Sequence, residues 1–140
     1  MSTLIGFTLD EGAVAPHRQH EGDAGWDLYC LHDVVILPGR FEMVHTGVYV
    51  APEPGVWLMM TGRSSSLARG LWVASAIIDQ GYRGELFVTA LNIGREREKV
   101  CEGERIAQLI PFQHTLVEWQ HMSTLPGSER GTDGVGSTGR

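Results

Sequence analysis

At 140 residues the chain has room for one domain and one core. Its 42% hydrophobic and 20% charged content excludes a disordered chain, and a formal net charge of −6 excludes a global basic field that would draw in nucleic acid or an anionic membrane. Any phosphate site must be built locally, from backbone N–H groups, a few arginines or a metal ion.

In chain order, the N-terminus lacks a basic start followed by a long apolar run, so no signal peptide is expected and the cytoplasm (a host's, for a viral gene) is the expected compartment. The 18 glycines and 6 prolines punctuate short apolar stretches, an all-β rhythm. Strands are predicted at residues 4–9, 34–37, 41–45, 48–51, 56–61, 84–92, 106–112 and 116–119, with both faces buried at 86–91 and 106–110. One helical turn is predicted at 65–69, capped by Ser64 or Ser65. No apolar stretch is long enough to span a bilayer. Cys30 and Cys101 lie far apart with no metal-ligand spacing, which favours two free thiols over a disulfide.

Many short strands with frequent turns argue for a sandwich, jelly roll or closed barrel over residues 1–122. Residues 123–140, dense in Gly, Ser and Thr, read as a flexible arm. Fully extended, it would reach roughly 60 Å at about 3.3 Å per residue, enough to meet a neighbouring subunit.

Five stretches carry candidate chemistry: Ala24-Gly25-Trp26-Asp27-Leu28; Gly62-Arg63-Ser64-Ser65-Ser66-Leu67-Ala68; Ile77-Ile78-Asp79-Gln80-Gly81-Tyr82-Arg83-Gly84-Glu85; Gly103-Glu104-Arg105-Ile106-Ala107-Gln108-Leu109; and Arg130-Gly131-Thr132-Asp133-Gly134-Val135-Gly136-Ser137-Thr138-Gly139. Singly, each has a structural explanation: a solvated turn carboxylate, a helix cap, a hairpin turn, a strand entry, a tail. Together and in order, they match the five signature motifs of the trimeric dUTPase family. The chain resembles that family from about Ala24 to its end.

The resemblance implies an all-β, distorted jelly-roll-like barrel, a homotrimer with active sites at subunit interfaces, and an arm that closes over a site formed by other subunits. It implies hydrolysis of dUTP to dUMP and pyrophosphate by water attack at the α-phosphorus, while the net charge argues for no nucleic-acid or membrane partner. Asp79 matches the carboxylate that positions the water, helped by partial burial against Ile77 and Ile78. Asp27 matches the carboxylate that holds the waters of Mg2+, the metal itself sitting mainly on the triphosphate. Arg63, Ser64, Ser65, Gln108, Arg130, Ser137 and Thr138 match phosphate contacts. Ala74, Ser75, Ala76, Ile77, Tyr82, Val135 and Gly136 match the uracil and deoxyribose site. There the backbone at 74–77 reads the base as a hairpin, and Tyr82 excludes a 2′-hydroxyl. Arg83 is assigned to support.

Two departures qualify these expectations. Val135 stands where the family usually places an aromatic, with Asp133 at a usual glycine, so weaker arm closure is expected. The loop Arg63-Ser64-Ser65-Ser66-Leu67 has one residue more than the common form, and counting forward from Arg63 selects Ser64 and Ser65. The competing readings are a dCTP deaminase of the same fold, which lacks the arm, and a non-catalytic regulatory trimer.

Overall fold

The computed structural model describes residues 2–136 and 138–139. Among them lie the strands β1 (Ile5–Leu9), β2 (Trp26–Tyr29), β3 (Val34–Ile36), β4 (Phe41–His45), β5 (Val48–Pro52) and β6 (Val56–Thr61), and the helix α1 (Ser64–Ala68). They are followed by β7 (Leu71–Val73), β8 (Ala76–Ile78), β9 (Phe87–Asn92), β10 (Glu98–Val100) and β11 (Arg105–Gln113). The all-β expectation holds, in a jelly-roll-like arrangement of small antiparallel sheets.

The sheet that positions the chemistry runs β2-β11-β6-β8, and a three-stranded sheet runs β4-β9-β7. Two further pairs, β1-β5 and β10-β3, complete the walls. Alternation explains the faces: in β5 and β6 every second residue is buried, so Val48, Val50, Val56, Leu58 and Met60 enter one core with Leu28, Ile36, Val88 and Leu109. Cross-strand rings extend the packing on the outer faces. Trp57 stacks on its register partner Phe112 at 4.6 Å, and Phe87 meets His45 edge-on at 4.9 Å.

Buried polar groups are paired. Asn92, 0% exposed, donates to the carbonyls of Ile36 (2.8 Å) and Glu96 (2.7 Å) and accepts from Gly94 N–H (2.9 Å). Thr46 donates to Leu86 O at 2.6 Å and accepts from Val48 N–H. These bonds fix the turns around β9 from inside the core.

Several expectations need correction. Residues 116–119 form no strand: Leu116 is 99% and Trp119 94% exposed, so an apolar pattern without a pairing edge has not become a ladder. The segment 84–92 is a strand only from Phe87, and it alternates between buried and half-buried residues rather than burying both faces. Helix α1 starts one residue early. Its N-cap is Arg63, which makes no side-chain cap bond, so neither Ser64 nor Ser65 is the cap. Both cysteines are free, Cys30 buried and Cys101 exposed. Among the described residues no helix is long and apolar enough to cross a membrane.

Candidate active site

Register gathers the first group. Asp27 on β2 sits opposite Gln108 on β11, and Gln108 sits opposite Thr61 at the end of β6. Directly opposed residues share a face, so Asp27, Gln108 and the loop leaving Thr61 converge. A register shift between Arg105 and Ala107 adds one residue to β11. Residues three apart in a regular strand point to opposite faces. The shift resets this, and Arg105 reaches the same side as Gln108.

The result is a carboxylate ringed by donors. Asp27, 9% exposed, has Oδ1 3.4 Å from Arg63 Nε and Oδ2 3.4 Å from an Arg105 guanidinium nitrogen. Gln19 donates to the same Oδ2 at 3.3 Å. Gln108 donates to Gly62 O at 3.3 Å, holding the loop that follows β6. Gly25 makes room for it: a Cβ there would lie 2.7 Å from Gln108 Oε1 and 3.2 Å from its Cβ.

The loop after β6 separates its three serines by burial. Ser66 is buried, whereas Ser64 and Ser65 are exposed, and Arg63 donates to Ser65 Oγ at 3.3 Å. A cavity of about 540 Å³ opens between this loop and the β10–β11 turn, lined by Gln19, Arg63, Ser65, Ser66, Arg69 and Arg105 among others. Arg69 braces its wall, bonding Glu98 Oε2 at 3.1 Å, Glu104 Oε1 at 2.7 Å and Lys99 O at 2.7 Å. Burial alone would lower the Arg69 pKa, but the bonds to Glu104 and Glu98 raise it above its ordinary value.

The second group lies elsewhere. Asp79 follows β8 and is exposed, so its expected burial against Ile77 and Ile78 fails; Ile77 itself is 58% exposed. Its turn is well anchored. Tyr82 N–H donates to Asp79 O at 3.0 Å, Gly55 N–H donates to Gln80 Oε1 at 2.8 Å, and Arg83 closes onto the carbonyls of Gln80 and Tyr82. Tyr82, 41% exposed, donates its hydroxyl to Glu85 O at 2.9 Å, and its ring lies against Gly84, where a Cβ would come within 2.7 Å of Tyr82 Cζ. A fixed, half-open aromatic face results.

Residues 74–77 are not a hairpin. β7 pairs with β9 and β8 with β6, so Ala74 and Ser75 bridge two sheets, with Ala74 N–H held by Thr89 O at 2.9 Å. Ala76 and Ile77 lie on β8, an edge strand, and Ser75 and Ile77 are exposed.

Asp27 and Asp79 stand at opposite edges of one sheet. Three strand spacings of about 4.8 Å and four residues of about 3.4 Å along β6 set their backbones on the order of 20 Å apart. One chain therefore does not bring them together.

The arm forms a third group. Every described residue from Phe112 on is exposed, Val135 fully so. Arg130 bonds Asp133 O at 2.9 Å and Gly134 O at 3.1 Å within its own turn, distant in sequence from the cavity. Gly136 and Thr138 are described and exposed, and Ser137 lies outside the described residues.

Sequence reasoning missed Gln19, Arg69 and Arg105 as members of the site. Arg105 stands within the candidate stretch 103–109. Nothing in the sequence points to Gln19, because only the bridge pairing His17 with Asp27 folds its loop back onto the site.

A family model described as dUTPase matches residues 11–139. The chain is 42% identical over 136 residues to the deoxyuridine 5'-triphosphate nucleotidohydrolase of Corynebacterium efficiens, covering 94% of this chain and 75% of that one. It is 40% identical over 149 residues to that of Mycobacterium tuberculosis, covering 99% and 97%. Among solved structures, the dUTPase of Staphylococcus bacteriophage 80alpha with dUPNHPP superposes with a TM-score of 0.91 at 26% identity, over 98% of this chain and 99% of that one. A mutant dUTPase from phage phi11 of S. aureus, described with a structural Mg(II) ion, has the same fold at a TM-score of 0.80 and 23% identity, over 86% and 97%.

Proposed function

The chain belongs to the dUTPase family and is a dUTP nucleotidohydrolase, and on that premise we propose that Asp79 and Asp27 act on one nucleotide from different copies of the chain. The separation of the two carboxylates across the sheet carries this reading. A water on Asp79 must come within about 3–3.5 Å of the α-phosphorus that it attacks, which the Asp79 of the same chain is too distant to arrange for a triphosphate lodged at Asp27. A second copy supplies the missing half, and a homotrimer with three such seams closes the arrangement.

At the seam each residue has a defined task. Asp79, on its anchored turn, orients the water and accepts its proton. Arg63 and Ser65 meet the phosphates from the cavity wall, with Ser64 and Gln108 next to it, and Arg105 adds a second guanidinium beside Arg63. Tyr82 offers its fixed ring to the deoxyribose, where a 2′-hydroxyl would collide. Ala74, Ser75, Ala76 and Ile77 present backbone at a sheet edge to uracil. The arm (residues 123–140) then brings Arg130, Val135, Gly136, Ser137 and Thr138 over the nucleotide, a closure that excludes water.

The donor set fits magnesium held through water. Among the described residues no group of three or more His, Cys, Asp or Glu side chains gathers to hold a metal, and Asp27 stands as a single hard carboxylate among phosphate-binding groups. That would suit a hydrated divalent ion held through water, which would supply charge neutralisation at the leaving pyrophosphate. Asp27 is the residue that would hold its waters. Catalysis in the cytoplasm follows from the nucleotide pool that such an enzyme serves.

Complementation tests the shared site. Asp27→Asn and Asp79→Asn, each inactive alone, are mixed, unfolded and refolded together. Random assembly gives a site both intact carboxylates about one time in four, so roughly a quarter of wild-type pyrophosphate release from dUTP is expected. No recovery from properly assembled mixtures would refute the shared site.

A further inference from the structure

Three donors compete for the carboxylate of Asp27: Arg63 at Oδ1, and Arg105 and Gln19 at Oδ2. All three contacts measure 3.3–3.4 Å, longer than the about 2.7–2.9 Å of a tight charge-assisted bond. Two guanidiniums resting loosely on one carboxylate have more to gain from a triphosphate, which offers greater negative charge and bidentate acceptors. Gln19 has no charge to transfer and gains far less by leaving. Its backbone is also pinned. His17, two residues before it, exchanges both bonds with Asp27, His17 N–H to Asp27 O at 3.2 Å and Asp27 N–H to His17 O at 2.7 Å. Gln19 itself lines the cavity.

We propose that Gln19 is a positioning residue of the triphosphate site: it keeps the Asp27 carboxylate oriented toward the magnesium waters once Arg63 and Arg105 have moved to phosphate. The inference rests on the reading of Asp27 given above and names the residue on which that role depends. Before nucleotide arrives, the arginines hold Asp27 and are themselves held in place, a preorganised store of positive charge in an acidic protein. Afterwards the carboxylate would lose both partners, and Gln19 is the remaining donor among its contacts.

The test measures binding of a non-hydrolysable imido analogue of dUTP by calorimetry, from excess EDTA through rising magnesium, for wild type, Gln19→Ala and the near-isosteric Gln19→Met. Both variants should bind the analogue within about twofold of wild type in EDTA, while the magnesium concentration for half-maximal tightening rises about tenfold, the low end for a partner that orients a metal-associated carboxylate. Equal weakening with and without magnesium would show a merely structural role and overturn the proposal, as would an unchanged magnesium response. A wild-type protein whose affinity ignores magnesium would instead overturn the assignment of Asp27 beneath it. Gln19 is exposed, so both variants should melt with wild type.

Discussion

Gly25→Ala tests whether backbone closeness, rather than side-chain chemistry alone, sets the phosphate site. Gly25 is buried and has no positive φ, so alanine meets no backbone strain and the whole effect comes from space. The new Cβ would sit 2.7 Å from Gln108 Oε1 and 3.3 Å from its Cδ, both on the flexible end of that side chain, which must swing away. It would also sit 3.2 Å from Gln108 Cβ, which is anchored to β11, so the strands must part by a few tenths of an ångström. Overpacking of this kind costs about 1–3 kcal/mol, offset by about 0.4–1 kcal/mol from the stiffer unfolded chain, leaving a modest loss of stability. The larger effect falls on chemistry. Gln108 loses its 3.3 Å bond to Gly62 O and its aim, and a hydrogen bond to a charged phosphate is worth about 1.5–3 kcal/mol, or roughly ten- to hundredfold in kcat/KM.

Steady-state pyrophosphate release and thermal melting of Gly25→Ala, Gln108→Ala and the double variant form the assay. If alanine acts through Gln108, the double variant is no worse than Gln108→Ala. Wild-type kcat/KM in Gly25→Ala, or losses that simply add in the double variant, would refute the reasoning.

Val135 is fully exposed, so Val135→Phe should leave the melting temperature unchanged and, through a stacking face worth about 1–3 kcal/mol, tighten dUTP-analogue binding at least severalfold; unchanged or weaker binding counts against a role for the arm over the base. Asn92→Ala orphans Ile36 O, Glu96 O and Gly94 N–H and should cost about 3–5 kcal/mol in urea unfolding, whereas a loss below about 1 kcal/mol would show that water replaces the amide. A thiol reagent should modify exposed Cys101 quickly and buried Cys30 only after unfolding. Burial pushes the Cys30 thiol up from 9.0 to about 11, so the folded state holds its proton longer than the unfolded one. That stability is present below pH 9.0 and lost toward about 11, and melting curves of wild type should fall more steeply over this window than those of Cys30→Val.

The fold was legible where burial alternates on one face. β5 and β6 bury every second residue, and both appear within a residue of their predicted bounds. β2 was not predicted, because Trp26-Asp27-Leu28-Tyr29 puts a carboxylate in a strand whose two central residues are buried, a pattern that fits neither period. β7, β8 and β10 are three residues each, as is β3, and at that length a strand shows no period; β3 was legible through its run of β-branched residues Val34-Val35-Ile36. Residues 116–119 had the pattern but no partner, since a strand is defined by the edge that it pairs with. The site was legible as residue types and illegible as geometry. Arg63, Gln108 and Asp27 meet through cross-strand register, and Arg105 joins them through a register shift that leaves no mark in composition. In the serine loop, burial separates what counting residues could not, since Ser66 is buried and Ser64 and Ser65 are exposed.

Charge supports the proposal that this site draws on more than one chain. Arg69 is committed to Glu98 and Glu104, so the guanidiniums left for phosphate are Arg63 and Arg105, both leaning on the single carboxylate of Asp27. That local excess is small against a fully ionised triphosphate, and the chain as a whole carries −6. Two further sources of positive charge fit the same place: a divalent cation, which Asp27 is suited to hold through water, and Arg130 on the arm. Arg130 curls onto Asp133 O and Gly134 O of its own turn, and Asp133 brings a negative charge with it. Proposed closure would thus bring Arg130 with the charge of Asp133 beside it, a smaller gain than an arm with glycine at position 133 would make. With valine also in place of a stacking ring, the arm has two reasons to close weakly. On the proposed shared site, binding energy would then come more from the seam between chains, where Tyr82, the edge of β8 and the cavity wall would meet the nucleotide, than from the arm.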